Sequence, residues 1–377
     1  MSNKSYGVLL VGGYRSHQEN YAFQFLSDPR CRLVASADDA NAPVERVELN
    51  QRLAKQLDLP YQDLETALQR TDVDLVSLCP EAERRAEIAV KCAKAGKHLY
   101  LDKPLAPNPR DARKIVNVVQ ETGVKNQMFS NVYCGWAQQA KQTLNSGQVG
   151  DLRAIHCDIT FAKGHPGSAP KGKRNEPGER PRYTFVEAKP ELFDIGVYAV
   201  SIINWLTQKR VKSLVATTSN YFFKEHVACG VEDFGTIVMK LEDETTASVS
   251  CGRFGWTSHP LSGIQKLRLV GTERSICFDA HQPRLEIYTA EPAFQPPVPH
   301  PLDPMGMWGS TTVDAIPKKT WKTVGGTDWI KREFQAFVDA IENDTPTEMT
   351  AELAAHSVEI ITAAYRSAAT GRMVELD

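Results

Sequence analysis

The segment LLVGGYRSHQENYAFQFL, residues 9–26, reads as a buried strand, a glycine turn and a helix. A dinucleotide-binding fold places its phosphate loop in this order of elements. The usual fingerprint, G-x-G-x-x-G, requires three glycines, and here only Gly12 stands in register. Tyr14 and His17 occupy the second and third glycine positions. The segment therefore predicts either an altered nucleotide loop or a simple turn. Features elsewhere in the sequence distinguish these two interpretations.

The turn has features that favour the nucleotide loop. Ser16 followed by Glu19 is a capping box, which predicts that the helix begins at about His17. The unpaired N–H groups of its first turn would then form an anion site beside the glycines. Because Tyr14 prevents a close approach of the backbone, we expect Arg15 to contact a phosphate directly. The predicted cofactor-binding residues of this loop are Gly12, Gly13, Tyr14, Arg15 and Ser16.

Strands and helices alternate regularly through residues 1–127. VDLVSLCP, residues 73–80, is an apolar run of the kind that is buried on both faces of a sheet. This alternation predicts a doubly wound parallel sheet with helices on both faces. In such a sheet the functional loops lie at the carboxyl ends of the strands.

The pattern changes after about residue 130. Strand-like segments joined by short turns predict a large, open, mostly antiparallel sheet, and EDET, residues 242–245, is the clearest hairpin signal. One helix, ELFDIGVYAVSIINWL, interrupts the strands, and two amphipathic helices close the chain. Because 377 residues exceed one ordinary core, we expect two domains, at residues 1–127 and 128–377. Together they form an α/β protein.

Composition narrows the classes of partner. The chain is 42% hydrophobic and 24% charged, with a net charge of −2, so nucleic acid and anionic membranes are not expected partners. No signal peptide, membrane span or clustered metal ligands are evident, so we expect a cytoplasmic protein without a metal. The eight cysteines form no C-x-x-C pair, and several lie in apolar runs, which predicts buried and inert thiols.

Four further segments resemble the Gfo/Idh/MocA family, the group of glucose–fructose oxidoreductase and inositol dehydrogenase. They are VDLVSLCP with AEIAVKCAKAGKHLYLDKPLA, LNSGQVGDLRAIH, FDIGVYAVSIINWL, and FVDAI with AAYRSAATGRMVEL. The resemblance implies an N-terminal Rossmann domain and a C-terminal domain with an open sheet, with the last helix packed back on the first domain. It also implies a nicotinamide cofactor, usually a sugar or polyol substrate, and a homodimer or homotetramer formed through the sheet.

LYLDKPLA resembles the E-K-P motif of this family, with Asp102 in place of Glu. Lys103 ends a parallel strand, where a cation can hold a substrate hydroxyl and the nicotinamide ribose. It can also stabilise the alkoxide that develops as hydride leaves. The alternative interpretation is a solvated lysine beside a turn.

FDIGVYAV places Asp194 and Tyr198 four residues apart, on one face of a helix. Family members carry an Asp here, and this chain resembles those with Tyr at the second position. We expect Tyr198 to take the hydroxyl proton, with its pKa lowered by Lys103 or the oxidised cofactor, and Asp194 to orient Lys103 or the substrate. A buried tyrosine with an ordinary hydrogen bond is the alternative.

The remaining predicted cofactor contacts follow other strands. Asp38, at the end of the second strand, would bond the adenosine ribose and repel a 2′-phosphate, which favours NAD over NADP; a helix-capping acid is the alternative. Pro80 and Glu81 match a family loop near the cofactor, and Asn131 matches a family asparagine near the nicotinamide. Asp102 and Lys103 complete this set.

A basic loop, residues 162–183, precedes the helix that carries Asp194. It is either an ordinary solvated loop or a lid that grips an anionic group of the substrate. The predicted substrate-binding residues are Lys171, Lys173, Arg174, Arg182, Tyr183, Asp194 and Tyr198.

These residues favour an NAD-dependent dehydrogenase of a sugar or polyol hydroxyl, in which Lys103, Tyr198 and Asp194 form the catalytic set. An NAD-dependent glycosidase on the same scaffold, working by transient oxidation, elimination and re-reduction, would use the same residues. A non-catalytic sensor is the third hypothesis, and the intact catalytic set argues against it.

Overall fold

The structure is a computed structural model that describes residues 5–13, 17–161, 189–254, 263–279, 284–289, 319–323 and 328–376. The described helices and strands form two sheets with their covering helices. None of the described helices combines the length and apolar character that a bilayer span requires.

The first sheet is parallel throughout and has the strand order β3-β2-β1-β4-β5-β6. Its strands are β1 (Tyr6–Val11), β2 (Cys31–Asp38), β3 (Tyr61–Asp63), β4 (Leu75–Leu78), β5 (His98–Leu101) and β6 (Asn126–Met128). Its helices are α1 (Gln18–Leu26), α2 (Val44–Gln56), α3 (Leu64–Leu68), α4 (Ala82–Lys94) and α5 (Pro109–Thr122). This is the predicted Rossmann architecture, with β3 and α3 as short elements that the sequence pattern did not reveal.

Local chemistry explains where these elements begin and end. All residues of β1 and β4 are buried, which is why both strands read as unbroken apolar runs. The side chain of Asn108 caps α5 by accepting from the amide of Asp111, with Pro109 in the first turn. The helix ends at Gly123, whose positive φ closes the last turn.

The second sheet has nine strands in the order β14-β13-β12-β11-β7-β10-β9-β8-β15, and only the β7–β10 pair is parallel. Its strands are β7 (Leu152–Phe161), β8 (Val211–Ser219), β9 (Phe234–Leu241), β10 (Thr246–Arg253), β11 (Gly263–Gly271), β12 (Arg274–Asp279), β13 (Arg284–Thr289), β14 (Lys319–Thr323) and β15 (Val374–Glu375). The mostly antiparallel open sheet is therefore confirmed. The predicted hairpin at residues 242–245 joins β9 to β10.

The helix expected over residues 191–206 is not regular. Its first part, Leu192–Gly196, is a π-turn, and the α-helix proper, α7 (Val197–Thr207), follows it. The remaining helices of this half are α6 (Gly135–Asn145) and α8 (Lys224–Cys229).

The last two helices, α9 (Trp329–Glu342) and α10 (Ala351–Thr370), connect the two sheets. Helix α10 contacts α5 and β6 on one side and α7 and β8 on the other. Helix α9 inserts Phe334 between Phe25 and Tyr100, with ring centroids 4.8 and 4.3 Å away. The core therefore runs continuously from the first sheet to the second.

Candidate active site

The predicted cofactor and catalytic residues meet at one edge of the first sheet. Gly12 and Gly13 follow β1, Asp38 ends β2, and Lys103 follows β5. Because β1 lies between β2 and β4, the strand order reverses there, and a crevice opens outside the carboxyl ends of the strands. This crevice is where a parallel sheet of this type holds a dinucleotide.

The glycine turn is shaped by close packing. A Cβ on Gly13 would lie 3.0 Å from the carbonyl oxygen of Cys79, and one on Gly12 would collide with the side chain of Asn50. Helix α1 begins at Gln18, one residue later than predicted, and His17 is its N-cap without a side-chain cap hydrogen bond. The close packing that requires glycine at the end of β1, and the helix start that follows, fit the position at which a sheet of this type binds the phosphates of a dinucleotide. Tyr14, Arg15 and Ser16 lie outside the described residues.

Asp38 does not present an open carboxylate to the crevice. It is fully buried, and it accepts from Arg46 Nε at 2.6 Å, Arg84 NH2 at 2.9 Å and Asn50 Nδ2 at 3.2 Å. Arg84 also binds the neighbouring Asp39. Arg46 and Arg84 thus already neutralise the carboxylate that the sequence predicts to bond the ribose, and that contact stays a prediction.

Pro80 and Glu81 lie where β4 leads into α4. Glu81 Oε2 accepts from Arg84 at 2.9 Å, and its other oxygen approaches Gly13. The carbonyl of Pro80 accepts from Arg85 at 2.8 Å, and Arg85 also binds the carbonyl of Pro104. The arginine pair therefore ties the loops after β2, β4 and β5 together.

Asp102 is buried beside Lys103, and its partners come from the start of α1 and from its own loop. Its Oδ1 accepts from the Tyr21 hydroxyl at 2.8 Å and the Lys103 amide at 2.8 Å, and it lies 2.9 Å from His17 Nδ1. Burial opposes its ionisation, yet the charges of His17, Arg85 and Lys103 hold the pKa of this carboxyl well below its usual range. Sequence reasoning gave His17 no role, although its place in the third glycine position was the available signal.

Lys103 is the centre of the site. Its Nζ donates to Asp194 Oδ1 at 2.7 Å and to the Asp194 carbonyl oxygen at 2.6 Å, across 91 residues of sequence. It also lies 4.9 Å from the ring centroid of Tyr198. The predicted catalytic set is thus brought together, and the π-turn makes the Asp194 carbonyl available to Lys103.

Asp194 also binds a cation that sequence reasoning missed. Its Oδ2 accepts from Arg253 NH2 at 2.7 Å, and Arg253 Nε donates to Glu191 Oε1 at 2.8 Å. Although burial opposes the charge, Lys103, Lys189 and Arg253 hold the pKa of Asp194 well below its ordinary value. Nothing near Arg253 in sequence marks it, since its partners lie 59 and 62 residues away.

Lys103 does not lower the pKa of Tyr198 in this structure, and the expected effect of the oxidised cofactor stays a prediction. Burial first, and then the negative charges of Asp194 and Asp102, raise the pKa of this phenol well above its usual value of 10.0. Lys103 does not reverse this shift because its charge is already matched by Asp194. Tyr198 is therefore a neutral phenol across the physiological range.

Asn131 lies buried just beyond β6, and its carbonyl accepts from the amide of Cys134 at 3.1 Å. The basic-loop residues lie outside the described residues, so their predicted contacts stay predictions. They are Lys171, Lys173, Arg174, Arg182 and Tyr183. Within the described part of the chain, no group of three or more His, Cys, Asp or Glu side chains is arranged to hold a metal ion.

The crevice, the glycine turn and the lysine-centred site are those of an NAD-binding oxidoreductase. Two family models match the chain: "Oxidoreductase family, NAD-binding Rossmann fold" at residues 6–130 and "GFO/IDH/MocA C-terminal domain" at residues 137–277. The chain belongs to the Gfo/Idh/MocA family.

Curated relatives include dehydrogenases of several kinds. Inositol 2-dehydrogenase from Salmonella typhimurium is 21% identical over 156 residues, 41% of each chain. Dehydrogenase aclE from Aspergillus oryzae is 25% identical over 336 residues, 83% of this chain and 81% of its own. A 4-carboxy-2-hydroxymuconate-6-semialdehyde dehydrogenase from a Sphingobium strain is 45% identical over 62 residues, 16% of this chain. The chain spans 20% and 41% of the length of the first curated relatives it matches.

Solved structures share the whole fold. A putative NADPH-dependent oxidoreductase from Desulfitobacterium hafniense superposes with a TM-score of 0.74 at 19% identity, covering 99% of this chain and 98% of the other. An oxidoreductase from Agrobacterium radiobacter, solved with NAD⁺, L-tartaric acid and magnesium, has a TM-score of 0.73 at 17% identity, with coverage of 99% and 98%.

Proposed function

We propose that this protein is an NAD-dependent dehydrogenase that interconverts a hydroxyl and a carbonyl group on a sugar or polyol. The observation that carries the proposal is the Lys103 amine, held by Asp194 at the carboxyl edge of the Rossmann sheet. The names of the inositol dehydrogenase relatives support the substrate class.

Each side chain has a distinct task. When bound, the nicotinamide ring accepts or supplies the hydride. Lys103 donates a hydrogen bond to the reacting oxygen and stabilises negative charge on it. Asp194 fixes the direction of the amine, since both of its acceptor groups hold the same Nζ.

Tyr198 moves the proton. As a neutral phenol it is ready to donate to a carbonyl oxygen during reduction. Oxidation requires the reverse transfer, which the raised pKa opposes at neutral pH. The raised pKa thus favours Tyr198 as the acid of the reduction more than as the base of the oxidation.

The experiment is a panel of sugars and polyols with NAD⁺, followed by NADH fluorescence, on the wild type, Lys103→Ala and Lys114→Ala. Lys103→Ala should lower kcat about 10²- to 10³-fold. Lys114→Ala, on the exposed side of α5, should match the wild type. The proposal fails if no panel member yields NADH, or if Lys103→Ala keeps full kcat. Release of an aryl group from a glycoside without net NADH would support the glycosidase alternative instead.

The oligomer also remains a proposal. Val215 and Val238 are cross-strand partners on β8 and β9, and both are more than 40% exposed. Apolar pairs on an open sheet face support a homodimer or homotetramer through that sheet. Light scattering on the purified protein tests this, and a monomer at all concentrations would refute it.

A further inference from the structure

Arg253 is the last residue of β10, and it extends the lysine-centred site by a second cation. Glu191 Oε1 accepts from its Nε at 2.8 Å, and Asp194 Oδ2 accepts from its NH2 group at 2.7 Å. Its side chain is nevertheless 24% exposed, whereas Lys103 is almost completely buried. Arg253 therefore keeps part of its surface accessible to solvent, and Lys103 does not.

The guanidinium of Arg253 has N–H donors that its two bonds to Glu191 and Asp194 do not use. Arginine carries five N–H donors in a planar fork that matches a carboxylate. In the described part of the chain, one bond engages Nε and one engages NH2, and no residue there accepts from NH1. The two carboxylates also fix the plane of the guanidinium, which lowers the entropic cost of binding a further group.

Asp194 couples Arg253 to the reacting position. One of its carboxylate oxygens holds Lys103 Nζ, and the other holds Arg253 NH2. The two cations are therefore separated by two hydrogen bonds and a single carboxylate group. A ligand that spans this carboxylate would place a hydroxyl oxygen on Lys103 and an anionic group on Arg253.

We infer that Arg253 binds a carboxylate of the substrate, so that the substrate is a hydroxy acid or sugar acid whose reacting hydroxyl lies a few bonds from that carboxylate. This inference rests on the proposed function, because it takes Lys103 as the hydroxyl site. The charges of Lys103 and Arg253 cancel those of Asp194 and Glu191. Recognition therefore comes from the directed N–H donors of Arg253 rather than from net charge.

Matched pairs of ligands test the inference before the substrate itself is identified. D-Gluconate and D-glucitol, D-glucuronate and D-glucose, and lactate and 1,2-propanediol each differ by a carboxylate in place of a neutral group. Calorimetric titration into the NADH-saturated enzyme measures binding independently of turnover. In at least one pair, we expect the acid to bind about 10- to 100-fold more tightly than its neutral partner.

Substitutions test whether Arg253 is the residue that causes the preference for the acid. Arg253→Met should abolish the preference for the acid, and Arg253→Lys should retain only part of it because lysine lacks the fork. Arg153→Gln, on the exposed start of β7, should leave it unchanged. Arg253→Met removes one cation from two buried carboxylates, Asp194 and Glu191, so circular dichroism must first show that the variant folds. The comparison of acids with neutral partners in the wild type does not depend on this variant.

The outcomes separate the two proposals. Equal binding of every acid and its neutral partner, no binding of any acid, or an acid preference that survives Arg253→Met overturns the inference. NADH formation from the neutral polyols would still support the proposed function in those cases. Conversely, tight Arg253-dependent binding of acids without any NADH formation would refute the dehydrogenase and leave the carboxylate site intact.

Discussion

Lys103 and Tyr198 are single residues whose chemistry depends on what surrounds them. Lys103 is fixed by a carboxylate and a carbonyl of the same residue, Asp194, and it lies against the face of the Tyr198 ring. Burial and two nearby carboxylates keep Tyr198 protonated. The direction of proton transfer in this site is therefore set by its surroundings rather than by the identity of the residues.

A pH profile tests the role of Tyr198. Because its pKa is raised above 10.0, the phenolate that oxidation needs forms only in alkaline solution, so the oxidation rate should rise with pH throughout the neutral range. The reduction, which uses the phenol, should be flat there. Tyr198→Phe should remove the rise and lower kcat about 10²- to 10⁴-fold. Tyr61→Phe, on β3, is the control. An unchanged pH profile in Tyr198→Phe would indicate that Lys103, and not Tyr198, transfers the proton.

Arg84 controls the charge beside the adenosine end of the crevice. It neutralises Asp38 and Asp39, which would otherwise repel a 2′-phosphate. Arg84→Ala should raise the ratio of kcat/KM for NAD⁺ over NADP⁺ by about tenfold, equivalent to roughly 1.4 kcal/mol. Arg70→Ala, which removes a similar pair with Asp72, should not change the ratio. A constant ratio in Arg84→Ala would show that this arginine does not face the cofactor.

Among the elements, the π-turn Leu192–Gly196 brings Asp194, in the second half of the chain, into contact with Lys103 in the first half. The Leu192 amide donates to Glu232, and Glu191, immediately before the turn, holds Arg253. Extra residues per turn of this kind often occur at functional sites. Here the turn directs the side chain and the carbonyl of Asp194 to one amine.

Gly196 closes this turn against β10. Its φ of −61° suits any residue, but a Cβ would lie 2.8 Å from Cys251 Sγ. Gly196→Ala should therefore lower the free energy of unfolding by about 1–3 kcal/mol through overpacking. In a Cys251→Ala background, which removes the sulfur, the same change should cost much less. Urea denaturation of the four proteins measures the coupling, and strictly additive effects would contradict it.

Glu232 links the π-turn to α10, since Oε1 accepts from the Leu192 amide and from the Tyr365 hydroxyl. Burial raises the pKa of Glu232 to about 7, from 4.5. Between these values the folded protein holds a proton that the unfolded chain releases, so stability falls as the pH rises through this range. The loss amounts to about 3 kcal/mol.

Glu232→Gln should flatten this dependence, because an amide does not titrate. Denaturant unfolding at several pH values from about 5 to 7 provides the measurement. Glu225→Gln, on the exposed surface of α8, should keep the slope of the wild type. The same slope in all three proteins would show that Glu232 is not the group responsible.

At the scale of the whole molecule, the last two helices, α9 and α10, pack against the first half of the chain. Helix α9 follows strands β7 to β14 of the second sheet in sequence, yet Phe334 packs among Tyr21, Phe25 and Tyr100 of the Rossmann half. Helix α10 then contacts helices of both halves. We therefore expect the described core to unfold as one cooperative unit.

Phe334→Ala tests this coupling. It should lower the free energy of unfolding by about 3–5 kcal/mol, because it leaves a cavity in a fully buried aromatic cluster. Phe23→Ala, on α1 but 61% exposed, should have little effect. Circular dichroism and NADH fluorescence should report the same transition in both variants. Two separate transitions in the wild type would contradict a single core.

Much of the fold was predictable from the sequence, because neighbouring residues determine it. Period-two and period-3.6 patterns indicated the main strands and helices of both halves. Short elements such as β3 and α3 were missed because three to five residues carry too little pattern.

The sequence by itself also determined the family and the position of Lys103 at the end of a parallel strand. Only the tertiary structure decided the state of the site: Asp38 is enclosed by arginines, Tyr198 is held as a phenol, and Arg253 joins Asp194. These are effects of burial and of charges brought together from distant segments. A local pattern carries no information on them, because desolvation and Coulomb energies depend on which groups meet in space.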